Sequence, residues 1–352
     1  MKILLLCDNL NNSKQWIRGI EKYTDAKVKI LHISGRNKFL RVFKFMFFLF
    51  TIGSKIRKLK PDIVIGYRIT SYGFLAAWSG YKPFILAAEG ETDVWPQKHW
   101  TTPFKAFLAR YAIKRAELIH AWGVNMTPSI IKYGGKKDQF FVMPRGIDIN
   151  LFTFNPILRK TNKNDLIHFC VSRSLFPEYG HTVILEAAKK LVSDGYKIKV
   201  FIVGTGPERE RIEKFIAKNN LTANIELLGY IPNIDLPEIL RKSEFYLSMP
   251  ETEGVSTSLF EAMGCGCFPI ISDLPANRGF IRNGENGYLV PIGDFNDLYL
   301  KIKTTMDSPE LYWKAINNNR QLIEEKADMK KNMQQFVNKY QNIINSNKSC
   351  VV

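Results

Sequence analysis

Short apolar runs alternate with longer amphipathic or polar stretches along most of the chain. Each apolar run has the length of a buried strand, and the stretches between them have the length and early prolines of helices. The predicted strands are residues 3–7, 28–33, 62–67, 84–88, 118–122, 140–143, 166–172, 198–203, 225–228, 244–249 and 268–272. Because strands that alternate with helices pair in parallel and are covered on both faces, we predict an α/β protein.

The length of 352 residues fits two such sheets, since a domain usually holds about 100–200 residues. The alternation breaks in a polar stretch near residues 151–164. We therefore predict two doubly wound, Rossmann-like domains over residues 1–155 and 165–325. We expect a C-terminal helix over residues 326–352 to pack back toward the first domain. Ligands of open α/β sheets bind beyond the carboxyl ends of the strands, so we expect the chemistry in a cleft between the domains.

Charge is distributed unevenly along the chain. The formal net charge is +17, and residues 1–150 hold 25 Lys and Arg against 10 Asp and Glu. Eight of these basic residues and six Phe lie between residues 36 and 60, where no acid occurs. A basic helix with aromatic residues fits an anionic membrane surface, and the alternative is a core helix with a basic rim. We predict peripheral association with the inner face of the cytoplasmic membrane through residues 36–60.

Three further features predict a cytoplasmic protein. The N-terminus has five apolar residues before Cys7, fewer than a secretory signal needs. The uncharged run over residues 45–54 is about half the length of a spanning helix. The five cysteines are odd in number and lack Cys-x-x-Cys spacing, which is typical of reduced thiols.

Arg173 leaves the end of the predicted strand over residues 166–172. At the carboxyl end of a parallel strand, a guanidinium group can donate two hydrogen bonds to phosphate oxygens. A structural ion pair with a nearby acid is the alternative interpretation.

Two glutamates, Glu253 and Glu261, follow the predicted strand over residues 244–249. If a helix begins near Ser256, Glu253 lies in the loop before it and Glu261 lies inside it. Carboxylates there can accept hydrogen bonds from the vicinal hydroxyls of a ribose or a hexose. The alternative is an N-capping Ser with an unrelated helical Glu.

Backbone N–H groups form a third candidate feature. Gly204 and Gly206 stand between a predicted strand and a helix, where glycines let the backbone approach a phosphate. A tight strand-to-helix turn without a ligand is the alternative. The segment Gly254, Val255, Ser256 and Thr257 would likewise present N–H groups to a diphosphate.

Taken together, these residues resemble the retaining glycosyltransferases of family 4, which have the two-domain GT-B fold. The resemblance is carried by residues 143–148, 172–180, 204–207, 228–232, 253–261 and 284–291. It implies two facing Rossmann-like domains and a nucleoside-diphosphate-sugar donor, with a UDP-sugar favoured over a GDP-sugar. It also implies a glycan or lipid-linked acceptor, a role in cell-surface polysaccharide synthesis, and no cofactor.

The resemblance assigns roles to individual residues. Glu261 would hold the ribose hydroxyls, Glu253 the donor sugar, and Arg173 the departing diphosphate, while Tyr230 and Ile231 would meet the base. Retention of configuration would follow from front-face attack, in which the donor phosphate takes the acceptor proton and no protein nucleophile is needed.

The sequence departs from the family pattern in three places. Tyr179 stands where the family usually has Lys. The family often has a His near the donor sugar after a first-domain strand, and here Glu89 or Asp93 is the nearest candidate. His120 is another candidate, although a lone His at the end of an apolar strand is more often a core residue. A Gly-rich loop after the first strand is absent, and no Asp-x-Asp stands where a metal-dependent transferase needs one, so we expect no metal.

Two other classes of function remain alternatives. A sugar-nucleotide epimerase of the same fold would act without an acceptor and would need its own acid and base. A polyanion-binding protein without catalytic activity would use the excess charge of the first half. No nucleic-acid-binding module is recognisable in the basic segments, so a nucleic-acid partner is not expected.

Overall fold

Strand pairing is parallel throughout the residues that the computed structural model describes, which are 1–7, 10–32, 38–88, 90, 102–154 and 166–349. For residues 10–12 and 38–44 only the backbone is described. The chain divides into two compact units. The first unit contains Met1–Arg145 and Met329–Val352, and the second contains Gly146–Asp328.

The first unit is built on a six-stranded sheet in the order β2-β1-β3-β4-β5-β6. Its strands are β1 (Lys2–Leu6), β2 (Lys27–Leu31), β3 (Ile63–Tyr67), β4 (Phe84–Ala88), β5 (Leu118–Ala121) and β6 (Phe140–Val142). Its helices include α1 (Leu10–Tyr23), α2 (Lys38–Leu59), α3 (Phe74–Trp78), α4 (Thr102–Arg115), α5 (Thr127–Lys132) and the C-terminal α13 (Met329–Ser349).

The direction of each crossover decides which face of the sheet a helix covers. The step from β1 to β2 runs opposite to the steps from β2 through β6 in the strand order. Because such crossovers are right-handed, α1 covers one face, while α2, α3 and α4 cover the other. The contacts agree, since α2 packs on α3, α3 packs on α4, and α1 packs on α13.

An aromatic cluster fills the core between the sheet and α13. Trp16 makes edge contacts with His120, Trp122 and Phe336 at centroid distances of 5.9 to 6.4 Å. His120 is fully buried, where its Nε2 donates to the Met143 carbonyl at 3.0 Å and its Nδ1 accepts from the Tyr340 hydroxyl at 2.8 Å. His120 is therefore a satisfied core residue of the first unit.

The stability of the first unit is expected to fall as the pH drops because His120 resists protonation. Burial lowers the pKa of His120 to about 4, whereas the unfolded chain would titrate near its ordinary value of 6.5. The unfolded state therefore binds more protons below about pH 6.5, and about 3 kcal/mol of stability is lost as the pH falls to 4. Denaturant unfolding of wild type and His120→Gln at pH 7 and pH 4 measures this loss. If His120→Gln loses as much unfolding free energy between pH 7 and pH 4 as wild type does, other titratable groups cause the loss.

The second unit has the strand order β12-β11-β10-β7-β8-β9. Its strands are β7 (Ile167–Ser172), β8 (Ile198–Val203), β9 (Ile225–Gly229), β10 (Phe245–Ser248), β11 (Phe268–Ser272) and β12 (Tyr288–Val290). Its helices are α6 (His181–Ser193), α7 (Arg209–Lys218), α8 (Leu236–Lys242), α9 (Thr257–Gly264), α10 (Pro275–Arg278), α11 (Phe295–Met306) and α12 (Pro309–Lys326). From β7 the chain winds outward through β8 and β9, and from β10 it winds the other way. The neighbours β7 and β10 therefore flank the point where the order reverses, which is the usual place for a ligand in this fold.

The second unit begins earlier than the polar stretch suggested. Ile147 and Phe152 belong to one of its hydrophobic clusters, and the Ile147 N–H donates to the Ala327 carbonyl at 2.8 Å. Arg320 of α12 also donates to the carbonyl of Phe152 at 2.7 Å. The boundary thus falls at Gly146 instead of residue 155, because these contacts anchor residues 146–154 to α12.

Each predicted strand occurs in the structure with ends that differ by at most two residues, so the predicted fold of two Rossmann-like sheets is confirmed. The short strand β12 was not predicted. The four described cysteines are buried thiols, and Cys350 lies outside the described residues. Within the described chain, no helix combines the length and the hydropathy needed to cross a bilayer.

Candidate functional site

The candidate site lies in the second unit, on the loops that follow β7 and β10. Because the two strands are parallel neighbours, their carboxyl ends meet at one edge of the sheet. The loop after β7 begins with Arg173, and the loop after β10 carries Glu253 and leads into α9. The chain order thus brings together an Arg and a Glu that are 80 residues apart.

Arg173 is held by three side chains from the end of β10 and the loop that follows it. Its Nε donates to the Ser248 hydroxyl at 3.0 Å, and its Nη2 donates to the Ser256 hydroxyl at 2.6 Å. The same Nη2 pairs with the carboxylate of Glu253. Both charged side chains are nearly buried, at 12% and 13% exposure. The ion pair named as the structural alternative for Arg173 is therefore present.

The charge of Arg173 is retained despite its burial. Burial opposes the charged form, but Tyr246 and Glu253 outweigh it and raise the pKa of Arg173. The Tyr179 ring lies beneath the guanidinium group, 5.5 Å from Cζ to the ring centroid. Tyr179, at the position where the resembled family usually has Lys, thus contributes a cation–π contact and no second cation.

His181 does not replace that missing cation. Its Nε2 donates to the Ser174 carbonyl at 3.0 Å, and burial lowers the pKa of its ring, which the backbone hydrogen bond offsets only in part. At neutral pH the imidazole is therefore uncharged.

The helix α9 begins next to Ser256, as the sequence predicted. Ser256 is the N-cap, and its hydroxyl accepts a hydrogen bond from the Leu259 N–H at 3.3 Å. The Gly254 N–H donates to the Glu253 carboxylate at 3.2 Å. Val255 and Thr257 are partly exposed beside these two residues. The segment from Gly254 to Thr257 therefore lies directly beside Arg173 and Glu253.

Glu261 lies inside α9 and is buried. Its Oε1 accepts a hydrogen bond from the Asn233 side-chain amide at 2.9 Å. Asn233 comes from the loop after β9, whose first residue Tyr230 is 76% exposed and whose second, Ile231, is partly buried. Asn233 is not among the predicted site residues, because no sequence motif marks it. The Asn233 amide therefore links two predicted parts of the donor site. One is the loop after β9, which is predicted to contact the base, and the other is the Glu261 carboxylate, which is predicted to bind the ribose.

Gly204 and Gly206 allow the loop after β8 to pack closely against the loop after β7. A Cβ at Gly204 would lie 2.0 Å from the Arg173 carbonyl oxygen, and one at Gly206 would lie 2.3 Å from the Leu175 carbonyl oxygen. The Gly204 N–H donates to the Gly229 carbonyl at 2.7 Å. The Gly204 N–H is thus paired with the neighbouring loop, while phosphate binding at the Gly204–Gly206 turn stays a prediction.

Gly180 joins the loops after β7 and β10. It adopts φ +64°, and a Cβ there would lie 1.9 Å from the Met249 carbonyl oxygen. Nearby, the Glu251 N–H donates to the Glu178 carbonyl at 2.9 Å. The backbone contacts at Gly180 and Glu251 fix the two loops that carry Arg173 and Glu253 against each other.

The two remaining candidates, Glu89 and Asp93, lie outside the described residues. Among the residues that the structure describes, no three metal-ligating side chains are grouped closely enough to hold an ion. A cavity of about 270 Å³ in the second unit is lined by other residues, among them Arg278, Glu285 and Lys326, and by none of the predicted site residues.

The geometry suits a ligand that combines a phosphate with hydroxyl groups. A nearly buried, charged Arg stands beside the N-terminus of α9, so that the cation and the helix dipole both favour an anion there. Two carboxylates, on the loop before this helix and in its second turn, can accept hydrogen bonds from hydroxyls on either side of that anion.

Comparisons with known proteins agree with this geometry. The family model for glycosyl transferases group 1 matches residues 154–322, and the glycosyl transferase 4-like model matches residues 9–121. The two models together match well over half of the chain.

Similar curated proteins match parts of the chain. One is the GtfA subunit of a UDP-N-acetylglucosamine–peptide N-acetylglucosaminyltransferase from Limosilactobacillus reuteri subsp. suis, 41% identical over 106 residues. That match covers 30% of this chain and 20% of the relative. A phosphatidyl-myo-inositol mannosyltransferase from Mycolicibacterium smegmatis is 28% identical over 171 residues, which is 48% of this chain and 43% of the relative. The matched stretches thus span less than half the length of these two relatives.

Among solved structures, Anabaena Alr3699/HepE in complex with UDP and glucose is similar over nearly the whole chain. The TM-score is 0.76 at 16% sequence identity, with coverage of 97% of this chain and 100% of the other. At this identity the likeness shows a shared fold.

Proposed function

Because the chain belongs to the GT-B glycosyltransferases of the family 4 kind, we propose that it transfers a sugar from a nucleoside-diphosphate-sugar donor to a glycan or lipid-linked acceptor. We further propose that the transfer retains the anomeric configuration and requires no metal or cofactor. The observation that carries the proposal is the cluster of Arg173, Glu253 and Ser256 at the reversal point of the second sheet.

Arg173 stabilises the diphosphate as it departs. When the bond between the anomeric carbon and the diphosphate oxygen breaks, its electron pair stays on the oxygen and negative charge grows there. A fixed guanidinium and the N-terminus of α9 stabilise this charge more in the transition state than in the bound donor, which accelerates the step. Nη2 of Arg173 donates to Glu253 and Ser256, so Nη1 is the group that donates to the diphosphate. Glu253 therefore holds the guanidinium in place as well as accepting sugar hydroxyls.

The acceptor hydroxyl attacks the same face of the anomeric carbon from which the diphosphate departs. A new carbon–oxygen bond forms, and the acceptor proton passes to the diphosphate oxygen. No protein nucleophile takes part. Glu261 holds the ribose hydroxyls, and Asn233 fixes its carboxylate at the position that the ribose requires.

A UDP-sugar is the donor that we favour. The similar Anabaena structure contains UDP and glucose, and the relative from Limosilactobacillus reuteri is named for UDP-N-acetylglucosamine. For the acceptor we favour a lipid-linked glycan of cell-surface polysaccharide synthesis, because the mycobacterial relative has a lipid in its name. The four described cysteines are buried thiols, which supports a reducing compartment, and we propose that the protein works in the cytoplasm.

An epimerase of the same fold would use the same donor without an acceptor. Incubation with the UDP-sugar alone separates the two, because only an epimerase inverts a carbon of the sugar in the absence of an acceptor.

UDP is expected to raise the melting temperature of wild type by about 5–10 °C at 100 times its dissociation constant, since such a ligand adds about 2.7 kcal/mol. Thermal unfolding with UDP, GDP and their sugars measures the shift. Glu261→Ala and Arg173→Ala are expected to reduce it, because each removes a donor contact.

Glu210→Ala and Arg282→Ala are matched controls, since both side chains are exposed in the same unit. They should shift as wild type does. If no nucleotide shifts wild type at millimolar concentration, the donor site is refuted and polyanion binding becomes the leading hypothesis.

A further inference from the structure

We propose that the first unit docks on an anionic lipid bilayer through the exposed face of α2, α3 and α4, called here the three-helix face. The proposal concerns a surface distinct from the donor site and does not depend on that site. Its apolar members are Met46, Phe47, Phe50, Trp78, Phe104 and Phe107.

The three helices form one continuous surface. Right-handed crossovers place α2, α3 and α4 on the same face of the first sheet. The Trp78 Nε1 of α3 donates to the Leu49 carbonyl of α2 at 2.9 Å, which fixes the first two helices together. On the other side, the Trp78 ring lies 5.8 Å from Tyr111 of α4, and Tyr111 lies 6.4 Å from Phe107.

The exposed side chains of this face are unusually apolar. Phe50 is 84% exposed, and the other five apolar members are 47% to 64% exposed. Phe47 and Phe50 are three residues apart on α2, as are Phe104 and Phe107 on α4, so each pair points to one side of its helix. Several large apolar side chains are thus exposed side by side. Such a patch indicates an interaction surface, because apolar patches of this kind are rare on surfaces that contact only water.

The charge of the three-helix face has a single sign. The sequences of α2, α3 and α4 contain no Asp or Glu. The basic residues of α2 and α4 are Lys38, Arg41, Lys44, Lys55, Arg57, Lys58, Lys105, Arg110, Lys114 and Arg115. Of the described ones, Arg57, Lys58, Lys105, Arg110, Lys114 and Arg115 are exposed. The surface is therefore complementary to an anionic partner.

Basic residues border the aromatic ones along both long helices of the face. In α4 the exposed Phe104 and Phe107 lie in the first half, and three of the four basic residues follow in the second half. In α2 the exposed Phe47 and Phe50 lie near the middle of the helix, and basic residues occur in the sequence both before and after them.

A bilayer fits both properties of the face. Phe and Met side chains insert at the boundary between headgroups and acyl chains, while Lys and Arg contact anionic headgroups. A nucleic acid would be bound by the cations but would leave Phe50 and Met46 unused, because their side chains offer no hydrogen bonds to phosphate or base edges. The observations therefore favour a lipid surface over a polynucleotide.

Sedimentation with vesicles of phosphatidylcholine and phosphatidylglycerol tests the proposal without any donor present. At an ionic strength of about 0.01 M, wild type is expected to sediment with these vesicles but not with phosphatidylcholine alone, and 1 M salt should weaken the binding. The variant Phe47→Ser/Phe50→Ser/Phe104→Ser/Phe107→Ser is expected to bind about tenfold or more weakly.

The control variant is Ile292→Ser/Leu300→Ser, which replaces two exposed apolar residues of the second unit. It should bind vesicles as wild type does. Circular dichroism shows that each variant is folded. Quenching of tryptophan fluorescence by lipids brominated in the acyl chain gives a second measurement. Wild type should be quenched through Trp78, and Trp78→Phe should lose that quenching.

The proposal is overturned if wild type stays in the supernatant with anionic vesicles at low salt, or if the control loses as much binding as the Phe variant. Binding to single-stranded DNA but not to vesicles would also overturn it and would assign the charge to a polyanion. Because none of these assays contains a nucleotide sugar, failure here leaves the proposed transfer reaction untouched.

Discussion

Replacing Arg173 with Ala is expected to lower kcat for sugar transfer by about 10²–10³-fold, with a smaller effect on KM. The size follows from the loss of one fixed, nearly buried charge at the point where the diphosphate becomes negative. Steady-state kinetics with a UDP-sugar and an acceptor measures the change. A loss confined to KM would show that Arg173 binds the donor without stabilising its departure.

Stability has to be separated from catalysis at this position. Arg173→Ala leaves the carboxylate of Glu253 nearly buried without its cation, which costs about 3–5 kcal/mol. The double variant Arg173→Ala/Glu253→Gln removes that unpaired charge, so it should recover most of the free energy of unfolding while remaining inactive. If the double variant regains activity, the effect of Arg173 is structural and its assignment to the diphosphate is refuted.

Gly180→Ala is expected to destabilise the second unit by about 2–5 kcal/mol and to abolish stabilisation by UDP. Two costs combine, since φ +64° is strained for an L-residue and the new Cβ would overlap the Met249 carbonyl oxygen. Relief of that overlap would move the loops that carry Arg173 and Glu253 apart. Urea unfolding and the UDP-induced melting shift measure the two effects.

Gly195→Ala is a matched control for this prediction. Gly195 lies in the same unit at φ +84°, but nothing lies within 4 Å of the position that its Cβ would take. It should therefore cost only the strain of about 1–2 kcal/mol and leave the UDP shift intact. Equal losses in both variants would mean that the close approach to Met249 contributes nothing.

The strands were predictable because parallel strands buried on both faces form unbroken apolar runs. The run over residues 268–272 appears unchanged as Phe268–Ser272. The strand Tyr288–Val290 was missed because it is three residues long at the edge of its sheet. The unit boundary was misplaced because the polar stretch is a local signal, whereas the contacts of Ile147 and Phe152 with α12 are made by residues far apart in the chain.

The site residues of the second unit could be predicted because they directly follow strands. Neighbouring parallel strands end at the same edge of the sheet, so residues that follow them lie close together. Arg173 and Glu253 are in contact, while their roles toward a donor remain predictions. The roles of the glycines were harder to predict. A glycine in a tight turn suggests that a Cβ would not fit there, but it does not indicate which neighbouring atom would clash with it. At Gly204 that atom is the carbonyl oxygen of Arg173. Asn233 was missed because a single amide in a loop has no periodicity or spacing by which to find it.

The first unit is discontinuous in sequence, and this decides the order in which it can be completed during synthesis. Tyr340 and Phe336 belong to α13, yet they close the core around His120 and Trp16. The ribosome makes residues 146–328 before it makes α13, so the second unit has all of its residues while the first still lacks a wall of its core. The half of the chain that is translated first is therefore the half that finishes folding last.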